Sequence, residues 1–379
     1  MRYSLLVLIL SFALIKASKA DSSMEPGDTT VQNYSNFKRS FQLSGLLQLR
    51  YTYSLTDSVN VNGSNYTGDG VNNSFALKRV RLMARANIND HFDASILLNL
   101  ADFSGNPQNK VLENAFIRYH YNKHLNLQMG QFRPFFGPED LLPVDIIKSL
   151  DYSNQYYLFG NSGWQSFQMG LAAYGDIVSK GTLPLRYYAG IYNGNGRNKA
   201  VDNDNGKDMY ARLETDMSKK IRLGLNAAYG TSAKAEGSAL GADFSMVVPL
   251  NSKLQLELLT EYKQGTNFAE YELNGLSTGT NISKYQNRGF YVFPNIRYDY
   301  KHPRLRSIEF SCRYEYLDEN YKLEKNLRQT LTPMVSLEFT DDYFARLQLG
   351  CTVDIYDHDV PLTAQYSHTM AVAQLQVRF

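Results

Sequence analysis

Residues 75–88 read FALKRVRLMARANI, and this stretch decides the fold because its side chains alternate in character with a period of two. In a strand, alternate side chains point to opposite faces. One parity is mostly apolar and consists of Ala76, Lys78, Val80, Leu82, Ala84, Ala86 and Ile88. The other parity carries Arg79, Arg81, Arg85 and Asn87. An arginine near the middle of a bilayer costs ~2–4 kcal/mol, so the apolar face is predicted to meet lipid and the arginines to point into water. Lys78 lies near the strand end, where its long side chain reaches the headgroups.

The same alternation continues almost to the end of the chain and predicts sixteen strands. They are 40–53, 75–88, 91–101, 111–121, 124–132, 163–175, 184–193, 206–217, 220–230, 239–249, 253–264, 287–300, 306–317, 329–340, 343–355 and 366–379. Long polar connections alternate with tight ones, which lie at Asn89-Asp90, Asn122-Lys123, Ser218-Lys219, Asn251-Ser252 and Asp341-Asp342. Short turns at one rim and long loops at the other are typical of outer-membrane barrels. The predicted fold is all-β, a transmembrane antiparallel β-barrel of about 16 strands.

The polar residues that alternate with apolar ones along each strand indicate that the predicted interior is charged. In segment 343–355, for example, Leu347 and Leu349 alternate with Arg346. The strand arginines that face inward by this rule, our candidate pore-lining residues, are Arg50, Arg79, Arg81, Arg85, Arg118, Arg212, Arg222, Arg297, Arg313 and Arg346. Unpaired charges in a dry core would each cost several kcal/mol, so the interior is predicted to hold water. A structural role stays open, in which arginines pair with Glu257, Glu261, Glu309, Glu315 and Glu338 and brace the wall.

The N-terminus holds the only long apolar run. Arg2 precedes the apolar stretch from Leu5 to Ile15, and Ser18-Lys19-Ala20 forms a small-x-small cleavage site. This pattern predicts a secretory signal peptide, since the run is too short to span a membrane. The predicted divisions are the signal peptide, an irregular polar lead and the barrel, at 1–20, 21–39 and 40–379.

Composition and motifs argue against several other classes of protein. Three of the 39 basic residues fall in the predicted signal peptide, so the rest of the chain has 36 basic and 37 acidic residues. This balance argues against nucleic acid as a partner. The sequence has no strand-elbow serine and no Gly-rich phosphate cradle, and we predict neither an enzyme nor a cofactor. His120 and His124 have metal-ligand spacing only on a helix, and their segment is predicted to be strand, turn and strand, so no metal site is predicted.

The connection at 133–162 differs from the other long ones because it is rich in proline and in apolar residues. The prolines are Pro134, Pro138 and Pro143. A loop this apolar is expected to pack against the protein rather than stay in water. Folded into the barrel, it would narrow the interior as a constriction loop. A short helix is predicted from Leu141 to Leu150.

Several motifs together carry a family resemblance. They are ENAFIRYHYNKHLNLQMGQFRPFF at 113–136, GWQSFQMGLAAYG at 163–175, GIYNGNG at 190–196 and Arg313-Tyr314-Glu315. In their order and spacing the chain resembles the phosphate-selective porins O and P, in the branch common among Bacteroidetes, over nearly the whole mature length. The resemblance implies a sixteen-stranded barrel, usually trimeric, with the third loop folded inward. The ending AQLQVRF, with Phe379, is similar to the terminal signal read by the outer-membrane assembly machinery.

The resemblance also bears on ion preference. In the family's anion-selective members, a column of arginines and a cluster of lysines line the permeation path. Part of such a path is matched here by Arg79, Arg81, Arg85 and Arg133. The predicted constriction loop departs from the pattern, since Lys148 stands alone among the acidic residues Glu139, Asp140, Asp145 and Asp151. Charged side chains in a pore set its ion preference, and this mixture predicts a weak preference for anions.

The sequence thus predicts an outer-membrane porin of a Gram-negative bacterium, giving passive diffusion to small hydrophilic solutes or anions. Its expected partners are outer-membrane lipid, the barrel assembly machinery and two further copies of the chain in a homotrimer. A plugged or ligand-specific barrel stays open as the alternative, either a carrier of hydrophobic ligands or a structural, adhesive barrel. A barrel enzyme would need a Ser–His pair on the lipid-facing wall or a carboxylate–histidine site at the rim.

Overall fold

Sixteen antiparallel strands close into one barrel, in which each strand pairs with its neighbours in sequence and the first pairs with the last. The computed structural model describes residues 39–103, 111–164, 166–179, 183–199, 201–202, 205–232, 235–323 and 326–379. The predicted signal peptide and almost all of the predicted lead lie outside these residues. The strands are β1 (Ser40–Ser54), β2 (Asn73–Asn87), β3 (Phe92–Asn99), β4 (Leu112–Asn122), β5 (Leu125–Phe132), β6 (Gln168–Val178), β7 (Leu185–Tyr192), β8 (Asp208–Ser218), β9 (Ile221–Ser232), β10 (Ala235–Pro249), β11 (Leu254–Thr266), β12 (Gln286–His302), β13 (Leu305–Asp318), β14 (Arg328–Glu338), β15 (Ala345–Tyr356) and β16 (His368–Arg378).

The connections alternate between short and long, with one exception. All seven on one rim are short, from the pair 123–124 to the six residues 179–184. Seven of the eight connections on the other rim are long, at 55–72, 100–111, 133–167, 193–207, 267–285, 319–327 and 357–367, and the longest is 133–167. The exception separates β9 from β10 by two residues only. There the ladder continues beyond the predicted strand ends, since Glu236 pairs with Thr231.

Burial divides the two faces of the strands as the alternation predicts. On β15, Gln348 is fully buried whereas the adjacent Leu349 is 47% exposed. Buried polar and exposed apolar side chains alternate in the same way on β8, β13 and β16. In a closed barrel the interior and exterior residues alternate along every strand, so the buried polar set faces the interior. Cys312 and Cys351 are both free, on two strands with β14 between them.

The barrel closes at a seam between β1 and β16 that depends on a glycine. The Gly45 N–H donates to the Phe379 carbonyl at 2.6 Å, and the Phe379 N–H donates to the Gly45 carbonyl at 3.1 Å. A Cβ atom on Gly45 would lie 2.3 Å from the Phe379 ring. Gly45 therefore provides the space in which the terminal aromatic ring packs.

A β-bulge in the pairing of β1 with β2 corrects the predicted orientation of Lys78. Gln48 pairs with Arg79, but the next residue, Leu49, pairs with Leu77, so Lys78 is the extra residue. A bulge changes the parity of the strand at that point. Lys78 consequently shares the inner face with Arg79 instead of pointing toward headgroups, while Leu77 is exposed.

The connection between β5 and β6 contains two helices, but neither lies where a helix was predicted. Helix α1 is Pro138–Leu141, a 3-10 turn spans Val144–Ile146, and helix α2 is Asn154–Asn161. The helix predicted from Leu141 to Leu150 is wrong because Leu142, before Pro143, is extended. A proline disfavours helical geometry in the residue before it. The strand predicted from residue 163 begins only at Gln168, since Gly163 has a φ of 108° and Trp164 is buried.

The other helical elements are short and lie in connections. Phe268–Glu270 (α3), a π-turn at Tyr271–Gly275 and Leu276–Thr278 (α4) follow β11. Single 3-10 turns lie at Leu100–Phe103, Ile282–Lys284 and Asp341–Tyr343. Within the ranges given above, none of the helices combines the length and apolar character needed to span a bilayer.

Candidate functional site

Three basic side chains of β1 and β2 converge on Asp151, which lies in the connection between β5 and β6. Arg79 Nη2 is 2.6 Å from Asp151 Oδ1, and Lys78 Nζ is 2.6 Å from Oδ2. Arg50 Nη1 lies 3.5 Å from Oδ2, and its Nη2 donates to the Leu150 carbonyl at 2.7 Å. The bulge brings Lys78 and Arg79, consecutive in sequence, to one face. The site therefore holds three cations and one carboxylate, which we call the Asp151 cluster.

The electrostatics of the Asp151 cluster favour an ionised carboxylate. Burial alone would raise the pKa of Asp151, but the positive charges of Arg79, Lys78 and Arg50 outweigh it and hold that pKa well below its usual range. The Tyr157 hydroxyl donates to Asp151 Oδ1 at 2.6 Å. Hydrogen bonds to the charged form of a carboxylate act in the same direction. Asp151 is consequently a fixed negative charge that neutralises only one of its three basic neighbours.

The 133–162 segment contacts inner side chains of strands on several sides of the barrel. The Gln348 side chain of β15 donates to the Lys148 carbonyl at 2.9 Å, and the Gln376 side chain of β16 donates to the Asp145 carbonyl at 2.9 Å. From β13, Arg313 Nη1 donates to the Asp151 carbonyl at 2.7 Å. These bonds satisfy backbone carbonyls of an irregular segment that would otherwise be buried without partners.

Apolar contacts also hold the segment against the strands. Val144 and Ile147 are buried with Leu46 of β1. Leu150 packs with Tyr291, Phe293 and Met334 of β12 and β14. The apolar residues that distinguished this segment in the sequence are therefore the ones that fix it to the strands.

The segment is also braced internally, and Arg133 belongs to this bracing. Arg133 Nη1 donates to the Glu139 carbonyl at 2.9 Å and to the Tyr152 hydroxyl at 2.8 Å. Glu139 accepts a hydrogen bond from the Ser153 N–H at 2.7 Å, and Ser153 in turn caps helix α2 by accepting from the Tyr156 N–H. Burial raises the pKa of Glu139, although Arg313 and Lys263 oppose that effect.

Lys263 of β11 also anchors the segment. Its Nζ lies 3.4 Å from Asp140 Oδ2 and 3.1 Å from Glu261 Oε1. It also lies 5.7–5.9 Å from the ring centres of Phe136, Tyr156 and Phe159. The ammonium is fully paired in this position, and Lys263 is 1% exposed.

The remaining candidate arginines are distributed around the wall and mostly pair with carboxylates. Arg81 Nη2 lies 2.8 Å from Glu113, Arg118 lies 2.8 Å from Asp93, Arg212 pairs with Glu214 and Asp243, Arg222 lies 2.7 Å from Asp216, Arg297 lies 3.2 Å from Glu309, and Arg313 lies 2.7 Å from Glu315. Arg346 donates to Gln376 at 2.9 Å. The pairs with Glu309 and Glu315 were among those the sequence suggested. Arg85 Nε is buried without a hydrogen-bond partner among the described residues, as are the Nε atoms of Arg81 and Arg346.

Two cavities lie between the 133–162 segment and the wall formed by β2, β3 and β4, and Arg81 lines both. The first has a volume of about 360 Å³ and reaches Lys78, Arg79 and helix α2. The second has a volume of about 610 Å³ and includes Arg85 and Arg133. Lys78 is nearer the long-loop end of β2 and Arg85 nearer its short-turn end, so the two cavities follow one another along the strand.

Basic side chains outnumber acidic ones around the two cavities. The seven basic residues are Lys78, Arg79, Arg81, Arg85, Arg133, Arg197 and Arg378. The four acidic residues are Asp102, Glu113, Asp140 and Asp145. Each of the four lies within 3.4 Å of a basic nitrogen, of Arg197, Arg81, Lys263 and Arg378 respectively. In the part of the chain that the structure describes, no group of three or more His, Cys, Asp and Glu side chains is arranged to hold a metal ion.

Comparison with known proteins identifies the family. The sequence profile of the phosphate-selective porins O and P matches residues 48–262, which is more than half of the chain. The chain belongs to that family. No curated protein matches the porin by sequence.

Solved structures of outer-membrane channels share the porin's fold. The outer-membrane channel DcaP of Acinetobacter baumannii is 13% identical, with a TM-score of 0.57 over 91% of this chain and 99% of that one. An anion-selective porin from Comamonas acidovorans is 10% identical, with a TM-score of 0.56 over 90% of this chain and 100% of that one. OmpT of Vibrio cholerae, in a trimer form, is 10% identical, with a TM-score of 0.55 over 90% and 99%. Together with the family, this likeness indicates an outer-membrane porin.

Proposed function

We propose that this porin forms a water-filled pathway for passive diffusion of small hydrophilic solutes, with a weak preference for anions. The 133–162 segment acts as the constriction. Its contacts with β1, β12, β13, β15 and β16 support this role, because they draw the segment against one side of the interior. The pathway then runs through the two cavities that lie between the segment and the wall of β2, β3 and β4.

The excess of basic side chains around the Asp151 cluster and the two cavities is the observation that supports the anion preference. Three cations surround Asp151, and Arg85 has no carboxylate partner in the described part of the chain. Two unit charges ~4 Å apart attract by about 1 kcal/mol in water. Since every acidic residue lining the two cavities is already close to a basic nitrogen, the excess positive charge is left to attract mobile anions.

The environment of Lys148 argues against phosphate specificity. Lys148 is the single lysine of the constriction segment, and it pairs with Glu257 and lies 3.8 Å from Glu309. A lysine held by two carboxylates does not offer its charge to phosphate. We therefore propose that chloride and phosphate share one pathway without a dedicated phosphate site.

The alternative is a plugged or ligand-specific barrel. A carrier of hydrophobic ligands requires an uninterrupted apolar path, whereas charged side chains interrupt the lining of both cavities along β2. A plugged, structural barrel would need the 133–162 segment to fill the interior completely. The proposed oligomer is a homotrimer, by analogy with the trimer form of OmpT. Outer-membrane lipid, assembly machinery acting on Phe379, and export through the signal peptide at 1–20 belong to the same proposal.

Single-channel recording of the purified mature protein in planar bilayers tests the proposal. Ohmic current steps in concentrated KCl are expected from a diffusion channel, and silence would favour the plugged barrel. Adding phosphate at constant chloride is expected to reduce the chloride current only at concentrations similar to that of chloride. A reduction at much lower phosphate concentrations would replace the general anion pathway with a phosphate site.

A further inference from the structure

The cavity beside the Asp151 cluster offers an aromatic surface as well as basic side chains. Tyr157 of helix α2 is 41% exposed, whereas Tyr152 and Tyr156 are buried. Its ring packs edge-on against Tyr156 at 5.5 Å, and its hydroxyl is fixed by Asp151. Tyr157 thus presents a rigid ring face, and its position relative to Arg79 and Lys78 is set by the same carboxylate that binds all three.

A glycine borders open space beside this ring. Gly160 follows Tyr157 by three residues on helix α2, which brings the two positions to one face of the helix. A Cβ atom on Gly160 would have no neighbour within 4 Å. The cavity of about 360 Å³ lies in the range of ~300–1,000 Å³ that is usual for small-molecule sites.

Two asparagines and an aspartate add further polar groups to the lining. Asn161, next to Gly160, is exposed and adds an amide that can both donate and accept hydrogen bonds. Asn99 and Asp102 line the cavity from the opposite wall. The fixed aromatic face can contact a ligand's ring. The amides can bind hydroxyl groups on that ring, and the unneutralised cations can bind an acidic group.

We infer that this cavity is a binding site for sugar acids, in which the pyranose ring stacks on Tyr157 and the carboxylate meets Arg79 and Lys78. The inference rests on the proposed diffusion pathway and names a solute class for it. Inorganic phosphate would use the cations but not the ring, and a neutral sugar would use the ring but not the cations.

Block of the single-channel KCl current by added solutes tests this inference. Glucuronate is expected to reduce the current at a concentration roughly five- to tenfold lower than acetate, phosphate or glucose. Tyr157→Ala is expected to abolish this difference while KCl current steps persist, and Tyr157→Phe, which keeps the ring, is expected to retain it. Tyr271→Ala, in the connection after β11, is the matched control and is expected to behave as wild type.

The outcomes separate this inference from the proposed function. A silent wild-type channel would overturn both. Normal KCl steps with equal block by glucuronate and acetate would overturn the sugar-acid site alone, as would block by phosphate at or below the glucuronate concentration. Stronger block by benzoate than by glucuronate would show an aromatic acid site instead and would also overturn the assignment.

Discussion

Asp151 Oδ1 lies 2.6 Å from Arg79 Nη2, and this ion pair joins the 133–162 segment to β2. Replacing Asp151 with asparagine would leave Arg50, Lys78 and Arg79 without their shared carboxylate. The permeability ratio of chloride to potassium is then expected to rise, by up to about fivefold if one unit charge acts at ~4 Å in water. Reversal potentials in a KCl gradient measure the ratio. An unchanged or lower ratio would show that Asp151 is not beside the ion path.

The depressed pKa of Asp151 gives a pH prediction. Because the folded-state pKa lies below the usual ~3.9, Asp151 remains ionised at pH 4, and its stabilising ion pairs are lost only as the pH falls through the lower folded-state value. The difference in reversal potential between wild type and Asp151→Asn is therefore expected to be the same at pH 7 and pH 4. Loss of about half of that difference at pH 4 would indicate that Asp151 has the ordinary pKa of an aspartate.

The bulge at Lys78 can be tested by cysteine labelling. In a background with Cys312 and Cys351 changed to alanine, Lys78→Cys is expected to react with a charged, water-soluble methanethiosulfonate reagent, and the current is expected to change on reaction. Leu77→Cys is the matched control and is expected to stay unreactive in lipid, since Leu77 lies on the exposed apolar face. Labelling of Leu77→Cys instead of Lys78→Cys would mean that β2 has no bulge at Lys78.

The seam at Gly45 gives a stability prediction. A valine at this position would place its side chain in the Phe379 ring, and overpacking of this kind costs ~1–3 kcal/mol. Gly45→Val is expected to lower the urea midpoint of barrel unfolding in detergent micelles, where the assembly machinery is absent. The double variant Gly45→Val with Phe379→Ala is expected to recover part of the loss. If the second substitution only added to the loss, steric conflict with the ring would not be the cause.

Much of the fold was predictable because lipid and water impose a period of two on every strand. All sixteen strands were predicted. The bulge at Lys78 was not predictable, since one extra residue leaves the apolar pattern almost unchanged and only the pairing with β1 reveals it.

The site was less predictable than the strands because its contacts join distant parts of the chain. Asp151 was noticed as one acidic residue among four in its segment, but nothing in the sequence linked it to Arg50 and Arg79. Helix α2 was missed although Ser153 is a good N-cap residue and Pro143 argues against the helix predicted before it. The pairs of Arg212 with Asp243 and of Lys148 with Glu257 depend on the closed barrel in the same way.

The reversal potential across a tenfold KCl gradient, compared between Arg85→Gln and Arg222→Gln, tests most directly whether ions follow the β2 wall. Arg85 lines the larger cavity, whereas Arg222 lies on β9 and pairs with Asp216. The wild-type potential is expected to have the sign of anion preference, Arg85→Gln to move it toward zero, and Arg222→Gln to leave it nearly unchanged. Equal shifts in both variants, or a wild-type preference for potassium, would contradict the proposed pathway.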